Sequence, residues 1–419
     1  MMNVYIYSML INLQTMGSRK ERERFRAEKE ETVKKPNQFT KQIFIFKMFL
    51  PSGGEQSLRG VVLLGNRRVA VRNFSDPEPG DNDVLIRMKA STICGSDLHH
   101  YRKGEEAYRV LYREARRYVG TSRGETRSTG VVIAGHEPSG VVERVGRCVR
   151  NVREGDRVSV FHIFGCGYCE MCRKGYPMYC RTPGAIRALG GNVNGAMADF
   201  LVVPWWACLA LPEELSFIDG AVLGCAGLTA YQILTKLEVS ARDTIAIYGL
   251  GPVGECAVLL AKALGSKIIG IDLIDERIKI AEKLGLDESI NASLEDPVKR
   301  IMEITHGDGV DVSLDFTGNP NASIDAIRSV KPLGKVGIVG TGFKAWKPSI
   351  PTGIFPLNGI WITGARVSNI NLYFDCVDFM IKHNLTFESI VTHKFPLEKA
   401  EEAFRIFDTQ KTGKVGFVW

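Results

Sequence analysis

Apolar positions along this chain change rhythm once, near Pro212. From Arg59 to Met88, stretches such as GVVLLG, RRVAVRNF and VLIRMKA are separated by turn-forming residues in DPEPGDND. β-Branched residues in alternation, cut by Pro, Gly and Asp, predict strands. VVIAGHEPSGVVERVG and DRVSVF continue the pattern. After Pro212, short apolar strands alternate with runs at helical spacing: TIAIYGLG, a helix through Leu264, KIIGIDL, a helix through Leu284, VDVSLDFTG, a helix through Val330, and GKVGIVGTG. Strand–helix alternation of this kind predicts an α/β fold with a parallel, doubly wound sheet. The tail from Leu372 holds two helical stretches and a closing strand, VGFVW. No internal repeat breaks this order.

Length and composition narrow the picture. The 419 residues allow two domains, and a 45% hydrophobic content is ordinary for a globular enzyme. Forty-three glycines suit the tight turns of nucleotide-binding α/β folds. The net charge of +7 is not gathered into a stripe beside stacking aromatics, which argues against nucleic-acid binding. No run reads as long enough to cross a membrane, so no membrane partner is expected. The chain has ten cysteines, but it is too long for a small disulfide scaffold. A reducing, cytoplasmic compartment is the expectation.

The N-terminus stands apart. Val4 to Leu13 is apolar but short and lacks a preceding basic residue, unlike a secretory signal. Arg19 to Lys35 mixes basic with acidic residues, unlike an acid-poor transit peptide. Residues 1–57 therefore read as a charged extension outside the folded core, or as sequence upstream of the start codon actually used.

Gly249-Leu250-Gly251-Pro252-Val253-Gly254 follows an apolar strand and opens a helix. The first glycine permits the tight turn, the second admits a diphosphate to the backbone, and the third lets helix and strand approach. The helix N-terminus offers free N–H groups to the phosphates. The next strand ends at Asp272, whose carboxylate suits both hydroxyls of a ribose and repels a 2′-phosphate. No arginine follows at once, so NAD is expected over NADP, with Arg277 reaching the adenosine ribose or its phosphates. Thr229 is a further candidate coenzyme contact.

Cys166, Cys169, Cys172 and Cys180 follow the pattern C-x2-C-x2-C-x7-C. Four thiolates on one tight loop close a tetrahedron around zinc with no open position, which makes a structural site. Cys94 in TICGSDLHH, His136 in AGHEPSG and Cys225 in GCAGLTAY are scattered, and spacing alone does not join them.

Taken together, TICGSDLH, the stretch from Gly135-His136-Glu137 to Gly146, the cysteine loop and the GLGPVG turn resemble the zinc-containing medium-chain alcohol dehydrogenases. The sorbitol and threonine dehydrogenases are in that family, and the resemblance runs from about Leu58 to Trp419. It implies a GroES-like, β-rich catalytic domain over residues 58–225 that carries the zinc lobe at 166–180. A Rossmann coenzyme domain would follow over 226–365, and residues 366–419 would return to the catalytic domain. It also implies dimers or tetramers of identical subunits.

Residue by residue, the resemblance implies a catalytic zinc held by Cys94 and His136, with Asp97 and Glu137 as carboxylates beside it. Cys225 matches the third ligand of many alcohol dehydrogenases, and Glu137 is the alternative in a substrate-free state. Ser96 would receive the alcohol proton and His99 would end the relay, with His100 a neighbour on the opposite face. Phe161 and His162 match positions that wall the substrate cleft, where a histidine suits a polar, hydroxylated or carboxylated substrate.

Zinc bound by three ligands lowers the pKa of coordinated water from about 16 to about 7, and an alcohol in that position is activated alike. The expected reaction is hydride transfer between a secondary alcohol or polyol and NAD. Two alternatives are a zinc-free-type quinone or enoyl reductase and a non-catalytic NAD- and zinc-binding protein. The zinc ligands count against the first, and Ser96 and His99 against the second.

The chain departs from the family pattern between Arg102 and Val131. There Tyr108, Leu111, Tyr112, Ala115, Tyr118 and Val119 recur at helical spacing, opposite Arg109, Arg113, Arg116 and Arg117, with Gly120 as a stop. Two readings stand: a helix with a solvated arginine face, or a lid whose arginines attract an anionic substrate.

Overall fold

The computed structural model describes residues 58–103, 132–340 and 352–419. The N-terminal extension and the arginine-rich insertion lie outside the described residues. The expected α/β class holds. The first element is a hairpin, Leu58–Gly65 against Arg68–Phe74. Asn66 and Arg67 both take positive φ at its turn, as tight hairpin turns require.

Among the described residues, the β-rich part is built on a seven-stranded sheet. Asp83–Thr92 lies at its centre, antiparallel to Pro138–Val145, to Phe200–Pro204 and to the closing strand Lys414–Val418. The last residues of the chain therefore pair with its first large strand. That pairing sets Lys414 beside the segment that leads to Cys94.

The second sheet is six-stranded and parallel, in the order Glu288–Asn291, Lys267–Asp272, Thr244–Tyr248, Val310–Asp315, Val330–Ile338, Trp361–Gly364. Ile245, Ala246, Ile247, Ile268 and Ile269 are fully buried, because helices cover both faces. Each such aliphatic side chain contributes roughly 1.5–3 kcal/mol. Strand order reverses beside Thr244–Tyr248, and a doubly wound sheet opens its ligand crevice at such a switch point.

Three local readings differ from expectation. Glu288–Asn291 adds a strand the pattern did not announce, since only Ile290 in it is buried. The helix expected through Val330 stops at Arg328, and Val330 already belongs to the strand. Phe217–Lys236 is a 20-residue helical run apolar enough to span a bilayer, contrary to the expectation that no run is. It is 83% buried within the fold, and its apolar character serves the core.

That run is not a uniform helix. Phe217–Val222 opens on a capping box between Ser216 and Asp219, passes through a π-helical turn at Leu223–Gly227 and continues as Leu228–Lys236. Turns of this type cluster at functional sites because they displace side chains from the helical register. Here the displaced residue is Cys225.

Candidate active site

Cys94 follows the central strand, His136 and Glu137 precede Pro138–Val145, and Cys225 stands in the π turn. The fold brings one donor atom from each to within 4.8 Å of all the others. Gly135 permits the bend into His136: its φ is +90°, and a Cβ there would lie 2.5 Å from Met197.

Asp97 holds two of these residues at once. Its Oδ2 accepts the backbone N–H of Cys94 at 2.9 Å, and its Oδ1 lies 3.1 Å from Nδ1 of His136. That contact turns Nε2 of His136 toward the cluster, where the Ser96 hydroxyl lies 3.3 Å away. Carboxylate–histidine pairs of this kind fix the tautomer and orientation of a metal ligand. Burial opposes charge on His136, but Asp97 and Cys94 hold it well above its ordinary value. The Cys94 and Cys225 thiols share a hydrogen bond that lowers the first and raises the second.

Glu137 is fully buried and engaged on both oxygens. Lys414, equally buried, donates to Oε1 at 2.7 Å and lies 2.5 Å from Oε2, and the Thr92 hydroxyl also donates to Oε2. Burial works against the ammonium, yet Glu137 and the two thiols keep Lys414 protonated. Sequence reasoning missed Lys414. Its only signal was a lysine heading an otherwise apolar strand.

The histidines divide. His99 lies on Asp97–Lys103, and burial, with Arg102, His100 and Lys103, pushes it down to about 4. Burial and the neighbouring His136 push His162 down to about 3. The His162 Nδ1–H donates to the Gly224 carbonyl in the π turn at 2.9 Å, so in the neutral ring Nε2 carries the lone pair, with the His136 ring centre 5.0 Å from that of His162. Phe161, expected to wall the cleft, is instead fully buried in the core.

The four cysteines of the lobe also converge within 4.8 Å. Cys169 Sγ lies 3.6 Å from Cys172 Sγ and 3.7 Å from Cys180 Sγ. Bonded sulfurs stand about 2.05 Å apart, and thiolates around one zinc at about 2.3 Å per bond stand nearly 4 Å apart. Backbone N–H groups of Cys166, Cys169 and Arg181 point at lobe sulfurs at 3.3–3.4 Å, which favours thiolates. The donor set fits a closed zinc site.

At the crevice, Gly249 has a φ of +92°, and a Cβ on Gly254 would lie 2.0 Å from the Gly249 carbonyl oxygen. A Cβ on Gly251 would meet only the Arg277 guanidinium, at 3.7 Å, so space remains above the turn. Pro252 and Val253 form the first turn of helix Pro252–Ala263. Asp272 accepts backbone N–H groups from Leu250, Leu273 and Ile274, and Arg277 lies 3.8 Å from it. The Thr229 hydroxyl donates to the Cys225 carbonyl one helical turn back, at 2.7 Å. This geometry fits a dinucleotide.

Comparison with known proteins agrees with the geometry. Residues 80–213 match the model of the alcohol dehydrogenase GroES-like domain, and residues 252–382 that of the zinc-binding dehydrogenase. An uncharacterized zinc-type alcohol dehydrogenase-like protein of Escherichia coli is 36% identical over 363 residues, covering 86% of this chain and 98% of its own. The L-threonine 3-dehydrogenase of Pyrococcus abyssi is 32% identical over 359 residues, 82% of this chain and 92% of its own. Among solved structures, alcohol dehydrogenase TADH from Thermus sp. ATN1 superposes with a TM-score of 0.75 at 30% identity, covering 86% and 99% of the two chains.

Proposed function

This chain belongs to the zinc-dependent medium-chain alcohol dehydrogenases, an oxidoreductase family, and from that membership we propose that it oxidises a hydroxylated secondary alcohol with NAD. The observation that carries the reading is the convergence of Cys94, His136 and Cys225 beside Ser96, with the π turn of Cys225 packed on the helix that the glycine turn opens. Cys94, His136 and Cys225 would hold a catalytic zinc. Glu137 is the weaker candidate, because Lys414 and Thr92 already occupy its oxygens. Cys166, Cys169, Cys172 and Cys180 would hold a second, structural zinc. Zinc supplies Lewis acidity toward the alcohol oxygen, and the dinucleotide supplies the hydride acceptor.

The chain's own residues then handle the proton. Ser96 accepts it from the alcohol, and His99 passes it outward. Burial, with Arg102, His100 and Lys103, keeps His99 uncharged at neutral pH, so it relays the proton without holding it. The lone pair on His162 Nε2 favours a substrate with a donor group near the reacting carbon. Threonine and sorbitol, substrates named for relatives, both carry one. A screen of NAD reduction over polyols, amino alcohols, hydroxy acids and simple alcohols tests the reading. Activity confined to simple alkanols would refute the polar preference.

Asp272 supports NAD over NADP, since a 2′-phosphate would stand against its carboxylate. Asp272→Ala is expected to narrow the ratio of kcat/KM between the two coenzymes by about tenfold or more, ~1.4 kcal/mol. Wild-type protein that used NADP equally well would end the argument.

The lobe prediction concerns folding. Cys169→Ser is expected to lose one zinc and most soluble yield, because metal binding to a structural site is folding free energy. A soluble, active variant with one zinc per chain would remove the structural role.

Identical subunits in pairs or fours are part of the proposal. The edge strand Trp361–Gly364 supports it, with Trp361 64% exposed and Leu357 nearby at 85%. All ten cysteines are free thiols, which suits a cytoplasmic enzyme.

A further inference from the structure

Behind the glycine turn, the Glu255 carboxyl, the Thr412 hydroxyl and the Arg277 Nε have no hydrogen-bond partner among the described residues. Glu255, on the first turns of helix Pro252–Ala263, is fully buried, and neither carboxyl oxygen has a hydrogen-bond partner among the described residues. Its Oε1 lies 3.3 Å from where a Cβ on Gly413 would stand, so the carboxyl packs on the loop just before Lys414–Val418. Thr412, the preceding residue, is buried with its hydroxyl unpartnered. Arg277, on helix Asp275–Lys283, has a buried and unpartnered Nε while its guanidinium end lies over Gly251. Lys411 donates to Glu276 at 2.9 Å, which ties the same loop to the same helix.

A carboxyl removed from water without a partner is strongly unfavourable. Burial accordingly raises Glu255 well above its ordinary value, against Arg277 and Lys414 and together with Asp272. The helix around it (Cys256, Ala257, Val258) is apolar and fully buried, so an apolar side chain would suit the free protein better. The unmet valences match once Glu255 gives up its proton to solvent: the carboxylate has two acceptor oxygens, while Thr412 and Arg277 each have one donor. Arg277 is held elsewhere, over the turn and toward Asp272.

We propose that Glu255, Thr412 and Arg277 form a latch, open in the free protein, that shuts when a nicotinamide dinucleotide fills the glycine turn. The diphosphate claims the space above Gly251, Arg277 turns its Nε–H to Glu255, and Thr412 follows with its loop. Glu255 is a positioning residue, since it touches no reacting atom. The latch rests on the reading that the dinucleotide binds at Gly249–Gly254. A ligand shifts such an equilibrium only by its differential affinity for the two states. Glu255 therefore costs stability in the free protein and returns it in the complex.

The test compares zinc-loaded wild type, Glu255→Leu, Glu255→Gln and Thr412→Val, by free-protein melting temperature and by NADH dissociation constant from fluorescence. Glu255→Leu is expected to melt higher when free yet bind NADH about tenfold more weakly or worse. Thr412→Val should weaken binding too, and the double variant should bind no worse than Glu255→Leu alone. A higher melting temperature with unchanged affinity would make Glu255 merely a tolerated buried acid and overturn the latch. Should Glu255→Leu fail to fold, Glu255→Gln carries the comparison. Its amide replaces one acceptor oxygen with an NH2 donor that faces one of the two donors, so affinity should fall several-fold, and unchanged affinity again overturns the proposal. Wild-type protein that bound no NADH would be a different result, one that removes the coenzyme reading itself.

Discussion

Replacing His136 with alanine is expected to leave a folded, soluble protein whose turnover falls by at least about 10³-fold, ~4 kcal/mol of barrier. The argument starts from what His136 contributes locally. It sits between Asp97, 3.1 Å from its Nδ1, and Ser96, 3.3 Å from its Nε2. Its ring presents a donor to the cluster of Cys94 and Cys225, and without it only two sulfurs and an already engaged carboxylate remain. Its contacts to Asp97, Ser96 and the His162 ring all lie within the site, so the fold should survive. Zinc should drop by one per chain while the lobe keeps its own. Asp97→Asn provides a graded companion, because losing the partner of a metal-bound histidine typically costs about 10–100-fold in metal affinity. Metal analysis and steady-state rates on the same preparations check both. If His136→Ala kept full zinc and more than about a tenth of the wild-type rate, less than ~1.4 kcal/mol of barrier, the catalytic cluster would be misassigned.

What could be read from the sequence divides by distance along the chain. The cysteine lobe and the glycine turn were legible because each places its chemistry on one short loop, where spacing is geometry. Alternating strands and helices after Pro212 announced the parallel sheet, since strands buried on both faces are continuous apolar runs. The cluster of Cys94, His136 and Cys225 was legible only through resemblance, because the three meet by long-range pairing of strands with a helix. The π turn that carries Cys225 looked like ordinary apolar helix, as LGCAG holds no local sign of an extra residue per turn. Glu255 and Lys414 were invisible for the opposite reason. A single charge in an apolar segment reads as a solvated position, and only packing shows that both are fully buried.

The buried pair of Glu137 and Lys414 sets the second large expectation. Lys414 holds both oxygens of Glu137 with neither side chain exposed. Burial pushes Glu137 up to about 7 even beside Lys414, so Lys414→Met would leave it either an unpaired charge or a carboxyl that takes up a proton, with Thr92 as its remaining partner and two thiols close by. Breaking a buried ion pair from one side typically costs about 3–5 kcal/mol, because the surviving charge keeps its desolvation penalty. Replacing both partners with neutral groups costs far less. Lys414→Met is therefore expected to lose up to about 3–5 kcal/mol of stability in the zinc-loaded enzyme, least at low pH where Glu137 takes up a proton, and Glu137→Gln with Lys414→Met to recover most of it. Denaturant unfolding of the two variants and wild type, all with zinc bound, measures the difference. The recovery matters more than the loss. A double variant as unstable as Lys414→Met alone would mean that the lysine acts through packing, as the head of the closing strand, and not as the counter-charge of Glu137.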